Sequence, residues 1–169
     1  MMFLGYVSIA GRGECDALLA EVVARLEAAG WPLAGTVQTN IDKQDSHHCD
    51  MDLRVLPDGP TFRISQDLGA GSKGCRLNPG ALEQSVAEVE PRMAGARLLV
   101  INKFGKHEAE GRGFRPLIGE ALAMGLPVIL GVNGLNLPLF LDFAEGMAEA
   151  LPADAEAICA RLGALAEAA

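Results

Sequence analysis

The first 39 residues constrain the fold more than any other part of the chain. Met2–Ser8 is an apolar run fit for a buried strand, and Ile9–Glu14 is a glycine-containing turn. Cys15–Ala29 places apolar residues at Leu18, Leu19, Val22, Val23 and Leu26, a rhythm that predicts a helix with one buried face. Gly30 is its natural stop. Leu33–Thr39 reads as a second strand. A strand, a helix and a strand of these lengths fit a parallel crossover, with the helix covering one face of the sheet.

The remaining segments extend that unit. Met51–Leu56 and Pro60–Ser65 flank Pro57-Asp58-Gly59, a hairpin signal. Asn40–Asp50 is polar without periodicity and is expected to be a surface loop; Gln66–Asn78 is a glycine-rich loop. Pro79 suits the first turn of a helix running to about Met93, with Asn78 as its cap. Arg97–Ile101 and Leu126–Val132 read as core strands, and Arg115–Met124 as a helix closed by Gly125. Pro138–Leu151 and Asp154–Glu167 are expected to be closing helices. The order predicts one α/β domain over residues 1–169, three-layered, with a mostly parallel sheet and one β-hairpin insertion. Ligands of such sheets bind at the carboxyl ends of the strands, which puts the loops after Ser8, Ser65, Ile101 and Val132 on one rim.

Half of the residues are apolar, enough for a full core, and no run is long enough to span a bilayer. The start, MMFLGYVSIAG, lacks a basic segment and reads as a strand, so a cytoplasmic location without membrane insertion is expected. Cys15, Cys49, Cys75 and Cys159 are far apart with no CxxC, which predicts reduced thiols. A net charge of −8 speaks against nucleic-acid binding. Its distribution is uneven: windows 60–78 and 97–115 hold eight of the 14 Lys and Arg but three of the 22 acids. Those windows sum to +5 and the rest of the chain to −13. Either they form an anion-attracting cleft, or they are two solvated loops.

Two loops carry the candidate chemistry. Gly11, Arg12 and Gly13 lie between the first strand and the first helix, where glycines let backbone N–H groups face an anion beside a positive helix end. The GxxxxGK[ST] pattern is absent, and Glu14 and Asp16 stand in the first helical turn. After the strand ending at Ile101 come Asn102 and Lys103, where nucleotide hydrolases place a metal-holding Asp. An ammonium there attracts an anion and repels a metal ion.

The motifs SQDLGAGSKGCRLN (Ser65–Asn78) and INKFGKHEAEGRG (Ile101–Gly113) resemble those of an uncharacterised bacterial domain family of unknown function associated with molybdate ABC-transporter genes. More distantly, the layout is similar to small P-loop nucleoside-triphosphatases with degenerate motifs: Gly105 and Glu108 fit that pattern, while Asn102 and Lys103 replace its carboxylates and the loop Lys and Thr are missing. The resemblance implies a P-loop NTPase-like fold and raises the case for a tetrahedral oxyanion. Through it, molybdate-transport or molybdenum-cofactor proteins become expected partners.

Lys103, Lys106, His107, Arg112 and Arg115 form the first candidate set for gripping an oxyanion. The alternative for Lys103 is a salt bridge to Glu108 or Asp67. Gln66, Ser72, Lys73, Cys75 and Arg76 form a second set on the glycine-rich loop. His47, His48 and Cys49 lack a second ligand pair at zinc spacing and read as incidental loop residues. The expectation is a non-hydrolysing domain binding phosphate, molybdate, a nucleotide-type ligand or a phosphate-bearing pterin, with no metal of its own and no catalytic residue assigned. The alternatives are a divergent phosphoryl-transfer enzyme and an interaction module, for which Leu135–Phe143 (LNLPLFLDF) would be a homodimer face or else core.

Overall fold

The computed structural model describes residues 2–11, 13–42, 49–66 and 76–168. β1 (Leu4–Val7), β2 (Leu33–Asp42), β7 (Leu98–Ile101), β8 (Val128–Gly131) and β9 (Ala148–Ala150) form five parallel strands in the order β2-β7-β8-β1-β9. β3 (Cys49–Leu56) and β4 (Thr61–Arg63) extend the β2 edge antiparallel, giving the expected hairpin insertion. β5 (Ser65–Gln66) and β6 (Arg76–Leu77) make a separate two-stranded ladder. This is the three-layer, mostly parallel, P-loop NTPase-like architecture anticipated from the sequence.

The two faces of the sheet carry separate cores. α1 (Glu14–Ala28) and α6 (Ala155–Ala168) cover one face, where Leu19, Val22, Val23, Leu26, Ile158 and Leu162 meet Val7, Leu98, Val100 and Ile129. α2 (Pro79–Val89), α4 (Arg115–Ala123) and α5 (Leu137–Ala144) cover the other, with Leu82, Val89, Ile118, Ala121 and Phe140 against Leu99, Ile101, Val128 and Leu130. Burial on both sides explains why β7 and β8 read as uninterrupted apolar runs rather than alternating ones. Asn78 caps α2 by accepting from the Ala81 N–H at 3.2 Å, as expected, and a 3₁₀ turn at Glu90–Met93 completes that segment.

Three segments depart from expectation. The helix expected over Pro138–Leu151 ends at Ala144: Glu145 and Gly146 turn the chain through positive φ, and Ala148–Ala150 pair with β1. Asn40–Asp50 is not loop throughout, because β2 runs on to Asp42 opposite a β3 that begins at Cys49. Residues 43–48, with His47 and His48, lie outside the described residues. The segment after β7 contains a short helix, α3 (Lys106–Ala109).

Of Leu135–Phe143, Phe140 is fully buried and meets the rings of Tyr6 and Phe104 at steep angles, 5.3 and 5.2 Å between centroids. Leu135, Leu139 and Leu141 are exposed. Among the described residues no helix is long and apolar enough to cross a membrane.

Candidate ligand-binding site

The carboxyl ends of β1, β7 and β8 share one rim, and two recesses open there. The larger, about 510 Å³, lies between the β2–β3 surface, α2 and the segment after β7. Met51, Leu53, Ile64, Leu77, Leu82 and Phe114 give it apolar walls, and Thr36, Gln38 and Asn102 supply polar groups. Lys103, Lys106, His107 and Arg112 all line it. Four of the five side chains of the first candidate set therefore line one cavity. The fifth, Arg115, is not among the lining residues; its guanidinium sits over the Phe143 ring at 5.2 Å.

A buried acid builds this cationic segment. Glu108 is 3% exposed, and its two carboxylate oxygens accept from the Gly105 N–H at 2.9 Å and the Phe114 N–H at 3.0 Å. Burial pushes its pKa up, and those amides oppose the rise. The segment is pinned to α2 as well, since Glu83 accepts from the Gly113 N–H at 2.9 Å and lies 3.6 Å from His107 Nε2. Glu108 is thus committed to the backbone and does not pair with Lys103. Lys106 and Arg112 both reach Glu110. Lys103 is exposed and has no ion-pair partner among the described residues.

The smaller recess, about 450 Å³, is bounded by Gly11, Gly13, Cys15, Asp16, Asn40 and Asn133, and shares Gln38, Met51, Asn102 and Lys103 with the larger one. Both glycines adopt positive φ, 117° and 77°, as an inward-turning loop requires. Acidic side chains stand beside it, however. The Glu14 carboxylate lies 2.8–3.1 Å from where a Cβ on Gly11 would sit. Asp16 accepts from Asn102 Nδ2 at 2.8 Å and from Asn40 Nδ2 at 2.7 Å. Gln38 closes the ring, donating to Asn40 at 2.8 Å and accepting from Asn102 at 3.2 Å, while Asn102 Oδ1 accepts from the Gln38 N–H at 3.1 Å.

Asn102, 3% exposed, therefore ties the start of α1 to β2 and has no amide hydrogen left over for a ligand. Burial, then Asp16, lift the Cys15 thiol to about 11, which lowers its thiolate fraction at neutral pH, and Sγ points at the Val7 carbonyl.

Gln66 lies in β5, paired with Arg76 in β6, and Gln66 is not among the residues lining the two recesses. Arg12, Ser72, Lys73 and Cys75 lie outside the described residues, as does Asp67, the other expected partner of Lys103. Reasoning from the sequence missed Thr36 and Gln38. Their signal was available: Thr36, Gln38 and Asn40 recur at every second position of β2, so that face of the strand is polar towards its carboxyl end.

The chain belongs to a family of proteins of unknown function, DUF2478, which it matches over residues 4–160. It is 34% identical over 148 residues to a molybdenum import ATP-binding protein, ModC 2, of Bradyrhizobium diazoefficiens. That match takes in 86% of this chain and 16% of the Bradyrhizobium protein, so the chain spans about a sixth of its relative's length. No solved structure matches.

Proposed function

We propose that this member of the DUF2478 family is a non-hydrolysing, P-loop-like domain that binds an anionic ligand in the 510 Å³ cavity. One observation carries the reading: Lys103, with no partner among the described residues, stands with Lys106, His107 and Arg112 at a cavity whose walls are largely apolar and whose acids, Glu108 and Glu110, are already engaged by backbone amides and by Lys106 and Arg112. Low-dielectric walls strengthen the pull of such cations on an oxyanion. A cavity of this size and lining favours a ligand with an organic body and an oxyanion end, such as a nucleotide or a phosphate-bearing pterin. Phosphate or molybdate alone would leave the apolar walls unused.

Hydrolysis is the weaker reading. The strand-end position that holds metal in nucleotide hydrolases is Asn102, and its amide is engaged with Asp16 and Gln38. Molybdate belongs among the trial ligands because the Bradyrhizobium relative is named for molybdenum import.

Thermal unfolding with phosphate, molybdate, nucleotides and a reduced pterin phosphate tests the proposal. A ligand at 100 times its Kd stabilises the folded state by about 2.7 kcal/mol. Stabilisation in the parent that is lost in Lys103→Ala supports the reading. Equal stabilisation of both proteins defeats it, and Mg²⁺-dependent phosphate release would make the protein an enzyme.

A further inference from the structure

We infer that the organic body of the ligand is a heterocycle, with a ring nitrogen or carbonyl oxygen that accepts a hydrogen bond from the Gln38 side chain, and not a hydrocarbon. The inference rests on the proposed function and names the kind of body that the same site takes. Asp16 sets the direction of every bond in the polar ring around Gln38, because a carboxylate only accepts. Its oxygens take Asn40 Nδ2 at 2.7 Å and Asn102 Nδ2 at 2.8 Å. Asn40 therefore turns its oxygen to Gln38, and the group that meets it at 2.8 Å is Gln38 Nε2. Gln38 Oε1 is left to accept from Asn102 at 3.2 Å. Asn102 has both amide hydrogens engaged. Gln38 has engaged one of two, and the other has no partner among the described residues.

That unused hydrogen belongs to a residue only 9% exposed. The two hydrogens of a planar amide diverge. One is turned to Asn40, which borders the smaller recess and not the larger, and this leaves the second for the larger cavity. Gln38 pairs across the strands with Leu53, so the two side chains stand together on the face that walls the cavity. A hydrocarbon packed against that wall would exclude water from the N–H and offer no acceptor in its place. A heterocycle satisfies the N–H at its edge while its faces cover the apolar wall. Lys103, which borders the same cavity, takes the oxyanion end.

Calorimetric titration of the parent and of Gln38→Met tests this, using AMP, GMP and a reduced pterin phosphate, with naphthyl phosphate as the hydrocarbon counterpart and orthophosphate as the bare anion. Gln38→Met keeps the side-chain length and removes the amide. It weakens whichever heterocycles bind by about tenfold, or about 1.4 kcal/mol, and leaves naphthyl phosphate and orthophosphate within about twofold. Should Gln38→Met fail to fold, side-chain amide NMR of the parent decides: one Gln38 Nε2 hydrogen moves downfield when a heterocycle binds and stays in place with orthophosphate. An equal loss for all probes, as a merely structural role gives, overturns the inference and leaves the cavity reading standing. So does no loss for any probe, binding by naphthyl phosphate or orthophosphate without the heterocycles, or an unmoved Gln38 resonance in the complex. No binding of any of the five probes overturns both.

Discussion

Placing a carboxylate at the end of β7, by Asn102→Asp, probes the hydrogen-bonded ring that joins this strand end to the start of α1. The side chain is buried and its Nδ2 stands 2.8 Å from Asp16 Oδ1 and 3.2 Å from Gln38 Oε1. Replacing that donor with an oxygen turns two attractions into repulsions. Two unit charges about 4 Å apart repel by about 4 kcal/mol at an effective dielectric of 20. A lost hydrogen bond adds about 1 kcal/mol, and partial exposure of Asp16 takes some back. The net destabilisation at pH 7.5 is about 3–5 kcal/mol, a large part of the roughly 5–15 kcal/mol available to a domain.

The pH dependence has a definite sign. Burial and Asp16 raise the folded-state pKa of the new carboxyl above its unfolded value, so the folded variant binds the extra proton. The deficit is therefore full at neutral pH and shrinks as pH falls through that raised pKa, when an O–H can donate to Asp16. Urea unfolding at pH 7.5 and pH 5 measures it. Adding Asp16→Asn to Asn102→Asp recovers most of the loss, since the repelling pair is then removed. A variant within about 0.5 kcal/mol of the parent at both pH values would refute the account of this ring.

Four further outcomes follow from backbone conformation, packing and burial. Gly113→Ala loses about 2–4 kcal/mol in urea unfolding, because a Cβ there overlaps Glu108 Oε2 and φ is +59°; Gly146→Ala, with open space around it, loses about 1–2 kcal/mol. Phe140→Ala loses about 3–5 kcal/mol, since the ring is fully buried between Tyr6 and Phe104. Cys15, lifted from 9.0 to about 11, alkylates about 100-fold more slowly at pH 7.5 than a thiol at its ordinary value, as peptide mass spectrometry would show.

What the sequence made legible follows from how local each cause is. β1, α1, β2, α2, β7 and β8 announce themselves through periodicity, through Gly30 and Gly125, and through the Asn78-Pro79 start signal. β9 does not. Ala148-Glu149-Ala150 is helix-forming by preference and becomes a strand because β1 offers it an unpaired edge. The ends of β2 and β3 were hidden because backbone pairing there proceeds beneath polar side chains.

The site divides in the same way. Lys103, Lys106, His107 and Arg112 are close in sequence, so one turn-and-helix segment gathers them. The contact that closes the first loop joins Asp16 to Asn102 across 86 residues, and no spacing in a single chain records it. The acids of the first turn were visible; that strand-end amides hold one of them in place was not.

A crystal structure of the protein with a bound purine monophosphate tests the central claim most directly. The account predicts the phosphate on Lys103 and the ring between Leu53, Leu77 and Phe114. A phosphate seated on the amides of Gly11–Gly13, with the Glu14 and Asp16 carboxylates swung away, would contradict it.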